Sequence, residues 1–333
     1  DYRSAFFTGC RDKGMSDEAV EPIWNMMMSF AGYSFCKPHS ASYARVSFQA
    51  AYLKVHRPAE FMAAVISNQG GYYSTFAYVS EAKRLGLTIE PPDVTISNYR
   101  WHGKDNRLRV GLQAIRDLSG KTVRRLLAAR ANKPFTSFDD LCQRVHPAVD
   151  ELTALLDSGA LDGFTANDGR AALAWQIAVR RQKRRGPTKT SLFAEQPVTP
   201  PLPEQPEIER LRKEYRTLGF LTKQHPIELL SLAHPRTLKA VDLARHVHKR
   251  VRFAGWLLTG KLVSTRTGDP MEFLSFEDET GIIEATLFPR VYRQHAHLLG
   301  SGRPYLLRGT VEEDFGAITL TVETIKTLHS TPA

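Results

Sequence analysis

Residues 251–263, Val251-Arg252-Phe253-Ala254-Gly255-Trp256-Leu257-Leu258-Thr259-Gly260-Lys261-Leu262-Val263, open the stretch that decides the architecture. Its apolar residues, among them Val251, Phe253, Trp256 and Val263, are interleaved with small and cationic ones, which is the composition of a half-buried strand. Four more runs of this kind follow: Phe273 to Phe276, Ile282 to Leu287, Tyr305 to Val311, and Ile318 to Ile325. Turn signals separate them at Thr267-Gly268-Asp269, Glu279-Thr280-Gly281 and Asp314-Phe315-Gly316, and a short helical pattern, Val291 to Leu299, lies between the third and fourth. Five strands with a helix in that place are the order of an OB-fold barrel, a common platform for single-stranded nucleic acid, here expected over residues 249–328.

Upstream of the barrel, residues 207–248 read as a helical connector containing a short hairpin, Ile208 to Leu218 and Pro226 to Leu232. Residues 186–206 carry Pro187, Pro197, Pro200, Pro201, Pro203 and Pro206, which cannot sustain a helix and predict an extended linker. Before the linker the spacing predicts helices over Ala114 to Ala131, Ser137 to Val145, Asp150 to Leu156 and Ala171 to Arg185. Ser137 is the expected N-cap of the second, with Asp139 and Asp140 in its first turn, and Ser158-Gly159 closes the third. Pro91-Pro92-Asp93 marks a turn and Leu108-Arg109-Val110 alternates like a short strand. From Ser16 to about Arg84 the pattern is helical, as in Val46, Ala50 and Leu53 and again in Phe61, Val65 and Ile66, with Pro58 in a first turn and Gly70-Gly71 as a stop.

A chain of 333 residues exceeds what one hydrophobic core usually fills and predicts two or three domains. Its 42% hydrophobic and 24% charged residues exclude collagen-like and disordered classes. No apolar run approaches the roughly 20 residues that cross a bilayer, so no membrane span is expected. Three widely spaced cysteines, Cys10, Cys36 and Cys142, with no Cys-x-x-Cys pair, build neither a disulfide framework nor a zinc knuckle and predict a reducing, cytoplasmic compartment. The start Asp1-Tyr2-Arg3-Ser4 has no signal-peptide pattern and reads as the continuation of something longer. A formal charge of +10 favours a polyanionic partner, without separating DNA, RNA and anionic lipid.

Gly32-Tyr33-Ser34-Phe35-Cys36-Lys37-Pro38-His39-Ser40-Ala41-Ser42-Tyr43-Ala44-Arg45 reads as a loop running into a helix capped by Ser40 or Ser42. Lys37, His39 and Arg45 add cationic donors near a helix start, where free N–H groups and the positive dipole end suit a phosphate. The same residues also suit a surface loop whose cations are solvated and whose histidine packs. Further on, Lys189-Thr190-Ser191-Leu192-Phe193 sets an isolated Leu-Phe pair in the polar, proline-rich linker. Such a pair either docks in a partner's pocket or folds back onto the chain's own surface.

Phe35-Cys36-Lys37-Pro38-His39-Ser40-Ala41-Ser42-Tyr43, Ser47-Phe48-Gln49-Ala50-Ala51-Tyr52-Leu53-Lys54 and Pro58-Ala59-Glu60-Phe61-Met62-Ala63-Ala64 closely resemble the fingers segment of the bacterial family C DNA polymerases, the replicative polymerase III alpha subunit and its error-prone paralogue. The family's usual form has Ser where Pro38 stands. The resemblance continues through Ile89-Glu90-Pro91-Pro92-Asp93, Ser158-Gly159-Ala160-Leu161-Asp162, Leu218-Gly219-Phe220 and His225-Pro226 into the barrel. Leu112 to Leu127 resembles a helix-hairpin-helix, whose tight turn brings backbone N–H groups to a DNA phosphate without reading sequence. The family pattern Gly-hydrophobic-Gly is replaced here by Asp117-Leu118-Ser119, with a glycine only at Gly120. Two Cβ atoms therefore stand where close backbone approach is wanted, and Lys121, Arg124, Arg125 and Arg130 are the cations that would compensate. A hairpin that only packs, with a solvated basic face, is the alternative.

The resemblance implies a multidomain α plus β protein: residues 1–105 a fingers portion, 106–185 a tandem helix-hairpin-helix, 186–206 the linker with a candidate clamp motif, then the connector and the barrel. It implies Lys37, His39 and Arg45 for nucleotide or template, and Ser119, Gly120, Lys121, Thr122, Arg124, Arg125 and Arg130 for DNA. Leu192 and Phe193 are implied for a sliding clamp, with Lys189 where the motif usually has Gln. The implied partners are primer-template and single-stranded DNA, deoxynucleoside triphosphate and the clamp. The palm with its metal-binding aspartates, hence Mg²⁺ and nucleotidyl transfer, belongs to the full-length enzyme. Asp117, Asp139, Asp140 and Asp278 do not read as that set, so no catalytic residue or metal ligand is assigned and the fragment alone is expected to be inactive. Two rivals share the downstream modules, a non-enzymatic DNA-junction protein and a DNA ligase, and neither needs the motif around Lys37 and His39. Replicative forms continue past the barrel into a further domain, so a natural end at Ala333 would favour the error-prone paralogue.

Overall fold

The computed structural model describes residues 2–31, 37–69, 71–165, 169–185, 200, 202–231, 237–300, 302–314 and 316–328. They form two compact units divided between Arg57 and Pro58.

The first unit is helical: α1 (Tyr2–Arg11), α2 (Asp17–Ala31) and α3 (Lys37–His56). Phe6, Phe7 and Trp24 meet ring to ring between α1 and α2, and Arg11 forms a bidentate pair with Asp17 across the turn. α3 already begins at Lys37, so Ser40 and Ser42 lie inside it rather than at its cap, and the Ser42 hydroxyl donates to the Pro38 carbonyl. The expected apolar stripe is not a core either, because Val46 and Leu53 are exposed. The 20 residues of α3 satisfy their own backbone hydrogen bonds along most of the helix.

In the second unit α4 (Pro58–Asn68) and α5 (Thr75–Arg84) precede a three-stranded sheet of β1 (Thr88–Glu90), β2 (His102–Lys104) and β3 (Arg107–Arg109). Its order is β1-β3-β2, with β1 parallel to β3. Four helices follow, α6 (Gly120–Asn132), α7 (Phe138–Val145), α8 (Val149–Asp157) and α9 (Gly169–Arg185). Ser137 caps α7 as expected, accepting from the Asp140 N–H. α6, however, starts six residues later than its apolar spacing suggests, because Asp117 adopts φ +63°, a left-handed conformation that no helix passes through. The connector holds α10 (Glu207–Leu218) and the short α11 (Glu228–Ser231).

The barrel closes as expected from β4 (Arg250–Ser264), β5 (Pro270–Glu277), β6 (Ile282–Leu287), β7 (Pro304–Asp314) and β8 (Ala317–Thr327), with α12 (Pro289–His295) between the third and fourth strands. The order around it is β4-β5-β6-β8-β7, and β7 returns antiparallel to β4. Phe253, Phe276, Leu307, Val311 and Leu320 fill the interior. The opposite side chains of β4, Ala254 and Trp256, instead join the core of the helical body together with Met62, Leu108, Leu126 and Leu155. One strand thus serves two cores, as its period of two allows. Beside this seam the fully buried Glu277 accepts from Arg84 at 3.1 Å and lies 3.4 Å from His225 Nε2. Lys83 Nζ donates to the carbonyls of Leu221 and Gln224 at 2.7 and 2.8 Å.

Candidate nucleic-acid interface

Asp117 to Gly120 turn the chain tightly into α6. Asp117, with φ +63°, takes a conformation usually left to glycine, which Asp tolerates better than most residues. Ser119 is the N-cap, accepting from the Thr122 N–H. The remaining donors of the turn converge on Glu151 of α8, a buried carboxylate. It accepts from the Ser119 N–H at 3.2 Å, the Ser119 hydroxyl at 2.6 Å, the Thr122 hydroxyl at 2.9 Å and the Ala148 N–H at 2.8 Å. Burial pushes the Glu151 carboxyl up, but these hydrogen bonds outweigh it and hold the group below its ordinary value. One carboxylate therefore fixes the start of two helices. The sequence reading missed it; the spacing Ala148-x-x-Glu151 at a helix start was the available signal.

This geometry divides the seven expected DNA contacts. Lys121, Arg124 and Arg125 are exposed on the outer side of α6, and among the described residues Lys121 and Arg124 have no polar partner. Arg125 Nη2 donates to the Thr122 hydroxyl at 2.9 Å. The N–H groups of Gly120 and Lys121, at the helix start, have no intrahelical acceptor. A Cβ at Gly120 would meet only the Arg124 guanidinium, at 3.6 Å, so this backbone can be approached closely. Ser119, Thr122 and Arg130 belong elsewhere. Ser119 and Thr122 are committed to Glu151. Arg130 Nη1 donates to the carbonyls of Val94 and Ser97 at 3.0 and 2.9 Å, and burial lowers its pKa. In this structure the side chains of these three are internal ties.

The second hairpin turns at Gly159, φ +84°, where a side chain would strain the backbone and crowd the Arg170 guanidinium. Arg170 forms a bidentate pair with Asp162. The basic end of α9 is less free than its composition suggests. Arg180 pairs with Asp139 and lies 4.9 Å from the Phe138 ring centroid, and Arg181 pairs with Asp150.

On the barrel, Lys261 of β4 and Phe273 of β5 face each other on the outer surface, and Thr286 of β6, next in register, is buried. Phe273 is 43% exposed and Lys261 is exposed. Phe273 was not among the residues singled out, although its alternation with the buried Leu274 and Phe276 marks it as outward.

In the first unit His39 and Arg45 are exposed on α3, and His39 makes a T-shaped contact with Tyr43 at 4.6 Å. Lys37 begins α3, its side chain lying outside the described residues, as do Leu192 and Phe193. Among the described residues no three His, Cys, Asp or Glu side chains converge to hold a metal ion. Asp140 accepts from the Thr136 N–H and from Arg144, and Asp278 accepts from the N–H groups of Ala240, Thr280 and Gly281. No helix among the described residues is long and apolar enough to cross a membrane.

Residues 86–172 match a family described as helix-hairpin-helix motif, and residues 251–328 one described as OB-fold nucleic acid binding domain. The DNA polymerase III alpha subunit of Bacillus subtilis is 29% identical over 93% of the chain, and that of Thermus aquaticus 30% over 99%. The error-prone DNA polymerase of Alkalilimnicola ehrlichii is 31% identical over 96%. The chain spans 29%, 29% and 31% of the length of these relatives. With the hairpin helices and the closed barrel in place and its whole length matched to both kinds of enzyme, the chain belongs to the family of the bacterial DNA polymerase III alpha subunit and the error-prone DNA polymerase.

Proposed function

We propose that this chain is the DNA-gripping part of a DNA-directed DNA polymerase, whose reaction is template-directed nucleotidyl transfer in replication or damage-tolerant synthesis. The observation that carries the reading is the start of α6, where Lys121, Arg124 and Arg125 surround an accessible backbone at Gly120. It grips phosphates of the primer-template duplex without regard to sequence, while the outer face of the barrel takes the single-stranded template. Lys37, His39 and Arg45 serve the incoming deoxynucleoside triphosphate or the template, and Leu192 with Phe193 tether the enzyme to a sliding clamp. Mg²⁺ acts in the palm of the full-length enzyme, on residues outside this chain, and the setting is the cytoplasm.

The test is primer extension by the full-length protein and its His39→Ala variant. Because His39 is exposed, its loss should leave the melting temperature unchanged and depress nucleotide incorporation. A variant that incorporates at the normal rate removes His39 from the site, and a full-length protein that extends no primer overturns the polymerase reading itself.

A further inference from the structure

The loop between α4 and α5 carries Gly71-Tyr72-Tyr73-Ser74. Tyr72 is 79% exposed and Tyr73 48%. Adjacent exposed rings form an apolar patch of the kind that binding sites use. These two are also held in place. Tyr72 and Tyr73 stand edge to face with centroids 5.1 Å apart, and Tyr73 meets Tyr78 of α5 in the same way at 6.2 Å. The Tyr72 hydroxyl lies 3.1 Å from the Thr259 hydroxyl on β4, and Ser74 caps α5 immediately after the pair. A Cβ at residue 71 would lie 1.9 Å from the Tyr78 hydroxyl, so a side chain there would push that ring from its place under the loop.

The anchor point gives the loop its meaning. Thr259 and Lys261 share the outer side of β4, opposite Ser275 and Phe273 on β5. One end of this outer face is covered by the helical body, through Trp256 against Phe76 and Glu277 against Arg84. The other end, with Lys261 and Phe273, is open. Tyr72 and Tyr73 stand at the border between the covered and open ends. From Thr259 to Phe273 is two residues along one strand and one strand across, or about 8 Å, a span of one or two nucleotides of extended single strand. The exposed Lys261 lies between them, with Arg266 in the following turn, and Glu284 is tied to the Ser275 hydroxyl.

We propose that Tyr72 and Tyr73 extend the nucleic-acid face of the barrel, so that successive bases of single-stranded DNA stack on Phe273 and then on the tyrosine pair as the strand crosses from the barrel to the helical body. The inference rests on the reading of the barrel face as the template site and adds its continuation outside the barrel. Stacking tolerates any base, which suits a template of arbitrary sequence, and it neutralises no phosphate, so it adds nothing to the salt slope.

The test is fluorescence titration of the chain with a dT oligonucleotide at several salt concentrations, comparing the wild type with Tyr72→Ala/Tyr73→Ala, Phe273→Ala and Tyr72→Phe. The double variant is expected to bind about tenfold or more weakly with an unchanged salt slope, and Tyr72→Phe, which keeps the ring and loses the Thr259 contact, within about threefold of wild type. Photocrosslinking of a 5-iodouracil oligonucleotide to the wild-type chain, mapped by mass spectrometry, should label Tyr72 or Tyr73 and is independent of how the variants fold. If Phe273→Ala weakens binding while the double variant binds like wild type and neither tyrosine is labelled, the extension is wrong and the barrel face stands. If the wild type binds no single strand, both fall.

Discussion

Around the first hairpin, Lys121, Arg124 and Arg125 reach into solvent, and among the described residues 106–182 no Phe, Tyr or Trp ring is exposed. On the barrel and the loop beside it the balance reverses, with exposed rings at Tyr72, Tyr73 and Phe273 and a single exposed lysine between them. The two surfaces sit in one compact unit, yet they offer different handles to a polyanion. Cations meet phosphates, which every strand displays on its outside, and each neutralised phosphate makes affinity depend on salt. Rings meet bases, which only an unpaired strand can splay out. Under the proposed function the contrast is one of duplex against single strand.

The sharpest way to break this contrast is to remove the support of the hairpin. Glu151→Ala leaves two N–H groups and two hydroxyls without their buried acceptor and should cost about 3 kcal/mol of stability, read as a lowered melting temperature. The pH dependence has a defined sign. The carboxyl is held below its ordinary value of 4.5, so its contribution is fully present above that pH and is lost as pH falls below it through the depressed value. The gap in stability between the wild type and Glu151→Gln should accordingly narrow under acid. A gap that widens instead would mean that the carboxylate is not the acceptor described.

The next effect in size is on binding. Replacing Lys121, Arg124 and Arg125 together by Ala should flatten the slope of log affinity against log salt on duplex DNA by about 2 to 3, while binding to dT oligonucleotide changes little. Equal losses on the two substrates would erase the distinction between the surfaces. The smallest effect separates a cation that grips from one that ties. Arg130→Met should lose about 1 kcal/mol of stability, through the carbonyls of Val94 and Ser97, and leave the salt slope on duplex DNA where it was.

The barrel was legible because each of its strands carries its own alternation and its own turn residues, from Thr267-Gly268-Asp269 to Asp314-Phe315-Gly316. The small sheet was half legible: Leu108 announced a strand, but His102–Lys104 has one buried residue in three and no periodicity to detect. α6 was misplaced because apolar spacing runs straight through Asp117, and a single left-handed residue leaves no trace in a hydrophobic pattern. The basic run at α6 was visible as charge, whereas its division into solvent-facing and internal members depends on Glu151, thirty residues downstream, and on loop carbonyls that carry no side-chain signature. Tyr72 and Tyr73 carry no signal in the sequence, since nothing local says that β4 passes beside them.

The sharing of β4 between two cores has a consequence for dissection. Ala254 and Trp256 face the helical body from the wall of the barrel, and Leu328, just past the last strand, is buried in that same body. A barrel excised as residues 249–328 would turn these apolar groups to water, and the helical body left behind would carry a matching scar around Phe76 and Tyr215, the ring neighbours of Trp256. The two parts are therefore expected to unfold together, two folds by topology sharing one buried seam. Calorimetry on the intact chain should find them unfolding under one shared transition, and an isolated barrel should be sticky before it is functional.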